Sequence, residues 1–200
     1  FHYCYSAKIY LDTTLIGRMM KKVYFTQINN VIAEATFLPL SVAYVWEYCN
    51  ANVEGWELGG ILFERETVAE YLKQITDPDV FAISTYVWNW DISRELARAV
   101  KLRWPNCLIV MGGPQVPAKK QWLQDNRDIC DLIVTYAGER AFAELLNGNY
   151  TAPGILSVDS YSPPKPDKIV DDIPSPYLSG LMDSLMKPGK QYSAIIETNR

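Results

Sequence analysis

Short, continuous apolar runs alternate along this chain with segments whose apolar residues recur at helical spacing. Apolar runs of this length are typical of strands that are buried on both faces of a parallel sheet. The pattern predicts five such strands, at residues 23–27, 56–63, 80–84, 107–111 and 132–135. It predicts helices between and after them, at residues 40–49, 67–75, 92–103, 119–125 and 139–146.

Regular alternation of strand and helix indicates right-handed crossovers and one sheet with helices on both faces. We therefore expect residues 20–150 to form an α/β domain with a doubly wound, parallel five-stranded sheet of the Rossmann-like or flavodoxin-like kind. Residues 1–19 lack the apolar core of a signal peptide, and we expect them to be either an N-terminal extension or non-native upstream sequence carried into the reading frame. Residues 151–193 are rich in proline and are predicted to be a linker. Residues 194–200 are predicted to begin a strand of a further domain.

Composition excludes several classes of partner. The net charge of −4 and the pI of about 5.1 argue against a nucleic-acid partner, which requires a clustered basic face. No run of 18 apolar residues is present, so no membrane span is predicted. The four cysteines are widely spaced, which indicates reduced, mostly buried thiols and a cytoplasmic location. The single histidine, His2, argues against a zinc site built by the chain.

In an open parallel sheet, ligands bind beyond the carboxyl ends of the strands, so the loops there are the candidate site. After the fourth predicted strand, Gly112-Gly113-Pro114 either lets the backbone approach a ligand or forms an ordinary turn. After the third, a loop rich in aromatic residues either covers a flat ligand or packs on the neighbouring helix. After the fifth, the backbone amides of Ala137-Gly138-Glu139 either hold an anionic or polar ligand group, or Glu139 simply stabilises the first helical turn.

Several catalytic signatures are absent from the sequence. It contains neither the G-x-G-x-x-G fingerprint of dinucleotide binding nor the G-x-x-x-x-G-K-[ST] loop of nucleotide triphosphatases. A phospho-receiver domain would require acidic residues where Gln27 and Ser84 stand. With His2 as the only histidine, a Ser-His-Asp or Cys-His arrangement is not possible. These absences favour ligand binding over catalysis within this chain.

Four loop segments taken together resemble the cobalamin-binding domain of cobalamin-dependent radical S-adenosylmethionine proteins. They are residues 37–44 (FLPLSVAY), 81–89 (FAISTYVWN), 110–117 (VMGGPQVP) and 137–139 (AGE). The final IETNR, residues 196–200, is similar to the strand that in this family introduces the radical domain and precedes its three-cysteine motif. The resemblance covers about residues 20–200.

The resemblance implies that cobalamin (vitamin B12) is the cofactor and that the chain's own downstream radical domain is a partner. S-adenosylmethionine and an iron–sulfur cluster (4Fe-4S) are then expected only in that downstream domain. The nucleotide tail would enter a slot in the sheet, and the corrin would rest on the surrounding loops. The implied cofactor-binding residues are Gln27, Asn29, Leu38, Pro39, Ser41, Ser84, Thr85, Tyr86, Val87, Trp88, Asn89, Gly112, Gly113, Pro114, Gln115, Tyr136, Gly138 and Glu139.

One departure from the wider cobalamin-binding fold affects the predicted ligation. Mutases and methionine synthase have a D-x-H-x-x-G loop after the first strand, and its histidine binds cobalt. This chain has Gln27-Ile28-Asn29-Asn30 there. We therefore expect no histidine ligand to cobalt, as is common in the radical subfamily.

Two other interpretations remain at this point. The domain is alternatively a degenerate one that has lost its cofactor and serves only to dock a partner, or, less favoured, a flavin-binding domain of flavodoxin type. Pocket shape separates cobalamin binding from docking: an open slot beside the fourth strand favours a cofactor, and a slot filled by side chains favours docking.

Overall fold

The computed structural model describes residues 20–164 and 172–197. Its elements in chain order are β1 (Lys21–Thr26), β2 (Val31–Ile32), β3 (Ala35–Phe37), α1 (Leu40–Asn52), β4 (Trp56–Leu62), α2 (Val68–Gln74), β5 (Val80–Ser84), α3 (Trp90–Arg103), β6 (Leu108–Gly112), α4 (Lys120–Asp125), β7 (Leu132–Val134), α5 (Glu139–Leu146), β8 (Ile155–Leu156), α6 (Leu181–Leu185) and β9 (Gln191–Ser193). Within these residues, no helix is long and apolar enough to cross a membrane.

The central sheet has the strand order β4-β1-β5-β6-β7-β8. The first five of these strands are parallel, and β8 joins β7 in the antiparallel direction. Numbered among themselves, the parallel strands follow the flavodoxin-like order 2-1-3-4-5. The predicted parallel, doubly wound α/β fold is therefore confirmed, with one additional edge strand.

Each face of the sheet has its own layer of helices. Residues at every second position of the strands, such as Phe25, Ala82 and Val110, belong to the apolar core beneath α1 and α5. Their neighbours, such as Phe81 and Ile109, belong to the core beneath α2, α3 and α4. Because α1 follows β1 on one face and α3 follows β5 on the other, the chain diverges between these adjacent strands. Such a divergence leaves a crevice at the carboxyl edge of the sheet.

The predicted linker, residues 151–193, contains ordered elements. Ile155 and Leu156 are buried and pair with β7 as strand β8. Further along, α6 buries Met182, and β9 pairs in parallel with β3. The prediction of an extended linker is wrong for these elements, because each is too short to produce a periodic pattern and is stabilised by distant parts of the chain. The division of the chain at residue 150 stays a prediction.

The strand predicted at residues 194–200 is not formed over 194–197, and residues 198–200 lie outside the described part. The strand of this region is β9, three residues earlier in the chain. Its partner β3 ends at Phe37. Pro39, which lacks a backbone N–H, lies between β3 and α1. The predicted extension at residues 1–19 also lies outside the described residues.

Glu64 connects β9 to the central sheet. It follows β4, its side chain is 10% exposed, and it accepts hydrogen bonds from Tyr192 Oη at 2.8 Å, from Lys190 Nζ at 2.9 Å and from Lys187 Nζ. Burial alone would raise the pKa of Glu64, but these three hydrogen bonds lower it to about 2. The carboxylate is therefore charged at neutral pH.

This depressed pKa predicts an acid-dependent contribution to stability. In the unfolded chain Glu64 returns to its ordinary pKa of 4.5, so its contribution is complete above that pH and is lost as the pH falls toward 2. We expect the difference in unfolding free energy between the wild type and Glu64→Gln to shrink over this interval. Urea unfolding at about pH 7, 4 and 3 measures it. Glu57→Gln, which removes an exposed partner of Lys22, should show a small difference throughout.

The thiols of Cys49, Cys107 and Cys130 are buried and unpaired with one another. Burial raises the pKa of Cys107 and of Cys130 to about 12, and it raises the pKa of Cys49 further still. We expect these three thiols to resist iodoacetamide at neutral pH until the protein is denatured. Mass-spectrometric mapping of the alkylated residues checks this, and rapid labelling of Cys107 or Cys130 in the folded protein would contradict it.

Candidate functional site

A cavity of about 640 Å³ opens between α1 and α5 at the carboxyl edge of the sheet. Its floor is formed by the strand residues Phe25, Ala82, Val110 and Val134, which share one face. In the sheet register Ala82 lies between Phe25 and Val110. A methyl group between two large side chains leaves a depression in the floor at this position.

We call the inner part of this cavity, above Ala82, the slot. Its side walls are apolar. Val42 and Val45 of α1 form one wall and Phe142 of α5 forms the other. Ala82 and Val110 each stand two residues before the end of their strands, so the slot reaches about 6–7 Å below the edge of the sheet. A flat, largely apolar group suits such a slot, because no hydrogen bond is needed at its floor.

The glycine pair at the end of β6 lies at the cavity and also forms a tight contact between loops. Gly112 and Gly113 line the cavity. Gly113 has a φ of +91°, and a Cβ atom there would lie 2.4 Å from the carbonyl oxygen of Thr85. Glycine is therefore required at this position so that the loops after β5 and β6 can pack against each other. Thr85 completes that packing, since its amide and its hydroxyl both donate to the Gly112 carbonyl, at 2.8 and 2.7 Å.

Polar groups cluster on the side of the mouth next to α1. We call Ser41, Ser84 and Tyr86 the polar corner; all three line the cavity and are partly exposed. The Ser41 hydroxyl donates to Gln27 Oε1 at 2.6 Å and lies 3.5 Å from Ser84 Oγ and 3.4 Å from Tyr86 Oη. Gln27 is itself buried and positions Ser41 from below. The corner thus presents hydroxyl groups to the polar part of a ligand.

The aromatic loop after β5 is held in place by one buried amide. Asn89 is fully buried; it accepts from the Tyr86 amide at 2.7 Å and donates to the carbonyls of Ile28 and Ser84, each at 3.1 Å. Above it, the rings of Tyr86 and Trp88 stack with centroids 4.6 Å apart. The loop therefore packs on itself and presents its aromatic side chains at the carboxyl edge of the sheet.

The loop between β7 and α5 closes the opposite side of the mouth. Tyr136 is 86% exposed and has a φ of +60°, an unfavourable conformation for a residue with a large side chain. Gly138 precedes α5, and Glu139 is buried in its first turn, where the helix dipole favours a negative charge. Glu139 lines the cavity. The pKa of Cys49 is raised mainly by burial and, to a smaller extent, by the negative charge of Glu139.

The structure brings part of the predicted set of site residues to the cavity. Those that line it are Ser41, Ser84, Tyr86, Gly112, Gly113, Pro114, Tyr136, Gly138 and Glu139. Those that do not line it are Gln27, Asn29, Leu38, Pro39, Thr85, Val87, Trp88, Asn89 and Gln115. Several of the second group have internal roles: Asn29 donates to the Phe37 carbonyl at 2.8 Å, and Leu38 packs with Met182. Which of either group touches a cofactor stays a prediction.

Most of the lining residues that sequence reasoning missed are apolar. They include Phe25, Val42, Val45, Ala82, Val110, Val134 and Phe142. The available signal was the small residue Ala82 within an otherwise bulky strand, at a position that faces α1 and α5. Glu197 also lines the cavity, and nothing in its local sequence indicates this placement.

Comparison with known families gives a match over the part of the chain that builds this cavity. Residues 28–146 match the model of the B12 binding domain. The chain is 34% identical over 199 residues to the cobalamin-dependent radical SAM methyltransferase TokK of Streptomyces tokunonensis, covering 90% of this chain and 29% of that protein. It is 35% identical over 207 residues to a 2-(S-pantetheinyl)-carbapenam-3-carboxylate methyltransferase of Streptantibioticus cattleyicolor, covering 94% of this chain and 30% of that protein.

Comparison with solved structures gives more distant likenesses. A cobalamin-binding protein from Desulfitobacterium hafniense DCB-2 aligns with a TM-score of 0.49 and 14% identity, over 65% of this chain and 59% of that one. The response regulator RcsB of Salmonella typhimurium aligns with a TM-score of 0.45 and 16% identity, over 71% of this chain and 66% of that one. The family assignment does not depend on these two.

The family model covers more than half of the chain, and the two curated relatives match nearly all of it. The chain spans about 30% of the length of those relatives. The chain therefore belongs to the B12-binding domain family: it is a cobalamin-binding domain whose sequence is similar to those of cobalamin-dependent radical SAM methyltransferases.

Proposed function

We propose that this domain binds cobalamin with the nucleotide tail in the slot between α1 and α5 and the corrin ring over the loops at the carboxyl edge. The observation that supports this most directly is that the slot is open. The cavity that contains the slot has a volume of about 640 Å³, within the range of roughly 300–1,000 Å³ that is usual for small-molecule sites. A domain that only docks a partner has no need of such a slot in its core, where empty space is costly.

The chemistry of the walls also fits this cofactor. The benzimidazole of the tail is flat and mainly apolar, which matches the floor around Ala82 and the walls formed by Val42 and Phe142. The corrin edge carries amide side chains, and the polar corner supplies hydroxyl groups for them. Cobalamin, when bound, supplies a cobalt centre that can carry a methyl group; the protein residues described here bind and orient it.

We further propose that cobalt receives no histidine from this domain. The only histidine in the chain is His2, in the part that the structure does not describe. At the position after β1 where other cobalamin folds place a ligating histidine, Gln27 and Asn29 are buried and form internal hydrogen bonds. Their side chains support the loops instead of facing the slot.

For the whole protein, the relatives support a role in methyl transfer, with this domain as the cofactor module. On this proposal S-adenosylmethionine and a 4Fe-4S cluster bind to a downstream radical domain, which is the domain's main partner. We propose a cytoplasmic location and no nucleic-acid or membrane partner, on the grounds of the acidic charge and the buried, unpaired thiols.

Reconstitution with hydroxocobalamin, followed by desalting and an ultraviolet–visible spectrum, tests the proposed cofactor. We expect a retained corrin spectrum at about one equivalent. Cobinamide, which lacks the nucleotide tail, should be retained much less, because it leaves the slot empty. Flavin mononucleotide serves as the control for the flavodoxin-like alternative and should be washed out.

The outcomes separate the interpretations. Equal retention of cobalamin and cobinamide would place the cofactor outside the slot and contradict the proposed binding mode. A bare protein spectrum from folded protein would favour the docking interpretation. Retained flavin would favour the flavodoxin-like one.

A further inference from the structure

The loop after β4 contributes no lining residue to the cavity among those the structure describes, although it reaches the same edge of the sheet. β4 is the outermost parallel strand, next to β1. Its exit loop contains Glu64 and Arg65, and these two adjacent side chains bind different parts of the molecule. We call this pair the β4 brace.

Glu64 holds the C-terminal segment, residues 172–197. Its carboxylate accepts from Lys187, Lys190 and Tyr192, and the Tyr192 ring also packs against Phe63 with centroids 6.0 Å apart. The same segment continues to Glu197 on the cavity wall. Ile195, two residues earlier, is fixed through both its backbone groups by the Tyr177 hydroxyl, at 2.7 and 3.1 Å.

Arg65 holds the aromatic loop. Its guanidinium donates to Asn30 Oδ1 and to the Trp88 carbonyl, each at 3.1 Å, and so connects the loops after β1 and β5. Trp88 stacks on Tyr86, which lines the cavity as part of the polar corner. A planar guanidinium spans two acceptors at once, which a lysine ammonium cannot do with the same geometry.

One dipeptide that does not line the cavity thus binds two segments that reach it. Glu64 binds the segment that continues to Glu197, and Arg65 binds the loop that contains Tyr86. An isolated surface ion pair would contribute little. Glu64, however, is nearly buried and has three donors, so removal of its charge weakens three hydrogen bonds at once, two of them to lysines.

We propose that Glu64 and Arg65 are positioning residues for the cofactor: they hold two segments of the cavity mouth in place and thereby slow cofactor release. This inference rests on the proposed function, because it takes the occupant of the pocket to be cobalamin. Neither residue needs to touch the cofactor.

The test compares Glu64→Gln, Arg65→Gln and Arg65→Lys with two matched controls in the same chain. Glu57→Gln, at the amino end of β4, makes the same charge change as Glu64→Gln. Arg103→Gln, at the far end of α3, makes the same charge change as Arg65→Gln. Tyr192→Phe removes one hydrogen bond to Glu64 and serves as the mild variant if Glu64→Gln does not fold. Affinity and dissociation rate are measured for hydroxocobalamin, and amide hydrogen exchange is measured without it.

We expect Glu64→Gln to accelerate amide exchange at 187–193 and Arg65→Gln to accelerate it at 85–89, each without affecting the other segment. Both variants should bind hydroxocobalamin about five- to tenfold more weakly, mainly through faster dissociation, since the lost hydrogen bonds involve charged groups. Arg65→Lys should rescue little of the loss, and the two controls should match the wild type.

Other outcomes would overturn the positioning role of Glu64 and Arg65 or the proposed function itself. Unchanged exchange in both segments, or unchanged affinity despite faster exchange, overturns the positioning role. Equal losses in the controls would indicate a nonspecific effect of charge and also overturn it. If the wild type itself retains no hydroxocobalamin, the proposed function fails, and the exchange data alone then decide whether the brace positions the two segments.

Discussion

Replacement of Ala82 by leucine is expected to weaken cobalamin binding strongly while leaving the fold intact. Ala82 lies at the floor of the slot between Phe25 and Val110, and the added atoms would occupy the space proposed for the nucleotide tail. Overpacking costs about 1–3 kcal/mol when the space is already taken, which corresponds to a loss of affinity of about 5- to 150-fold. Without cofactor the same atoms fill an empty cavity, so the free energy of unfolding should stay constant or rise by up to about 2 kcal/mol.

Hydroxocobalamin titration and urea unfolding of the Ala82→Leu chain measure these two effects. Ala82→Ser keeps the small volume and should retain most of the binding. Ala99→Leu makes the same enlargement on α3, away from the cavity, and should bind normally. Full binding by Ala82→Leu would show that the tail does not enter the slot.

The second large effect is expected for Gly113→Ala, which should destabilise the protein and weaken binding together. A Cβ atom at residue 113 would lie 2.4 Å from Thr85 O in a backbone with φ of +91°. A positive φ costs about 1 kcal/mol for alanine, and the steric conflict adds to it, so we expect a loss of about 3 kcal/mol or more in unfolding free energy. Relief of the conflict must move the loop after β5 or the loop after β6, and both line the mouth.

Gly148→Ala is the matched control for this prediction. Gly148 has a φ of +83°, and a Cβ atom there would meet nothing within 4 Å. It should therefore show the conformational cost alone, about 1 kcal/mol, and unchanged cobalamin binding. Urea unfolding of both variants gives the difference, and equal losses in the two would mean that the contact with Thr85 is unimportant.

The central sheet could be predicted from the sequence because its strands are buried on both faces. A run such as that of β5 is apolar at nearly every position, and it is separated from its neighbours by helices with a clear apolar side. The flavodoxin-like architecture then follows from the alternation of elements. Local pattern and tertiary structure agree here, so boundaries differ by only a few residues.

The candidate site was predicted less completely, since the sequence shows which residues follow a strand but not where their side chains point. Thr85, Asn89 and Gln27 are polar loop residues of the kind that bind ligands, yet they form hydrogen bonds within the domain. Conversely, Val42 and Phe142 resemble ordinary core residues, yet they line the slot. A missing side-chain volume, such as that at Ala82, becomes visible only when the neighbouring strands are placed beside it.

The C-terminal strands could not be predicted from the sequence, for a different reason. β8 and β9 have two and three residues, so neither can display a period. Their stability comes from partners far away in the chain, as in the pairing of Thr36 with Tyr192 and the hydrogen bonds to Glu64. Short strands of this kind are specified by tertiary contacts, and single-sequence patterns do not contain them.

The pairing of β3 with β9 has a consequence for the order in which the protein matures on the ribosome. β3 is made early, but its parallel partner is synthesised only after more than one hundred further residues have emerged. Until then one edge of β3 is unsatisfied, and the apolar surface of Leu38 and Phe63 that later packs against Met182 remains exposed to water. A nascent chain that has completed the parallel sheet therefore still has an unpaired strand edge and an exposed apolar surface at β3. Its final closure is a late, long-range event, and slow translation through residues 172–193 would prolong the time during which this edge is exposed.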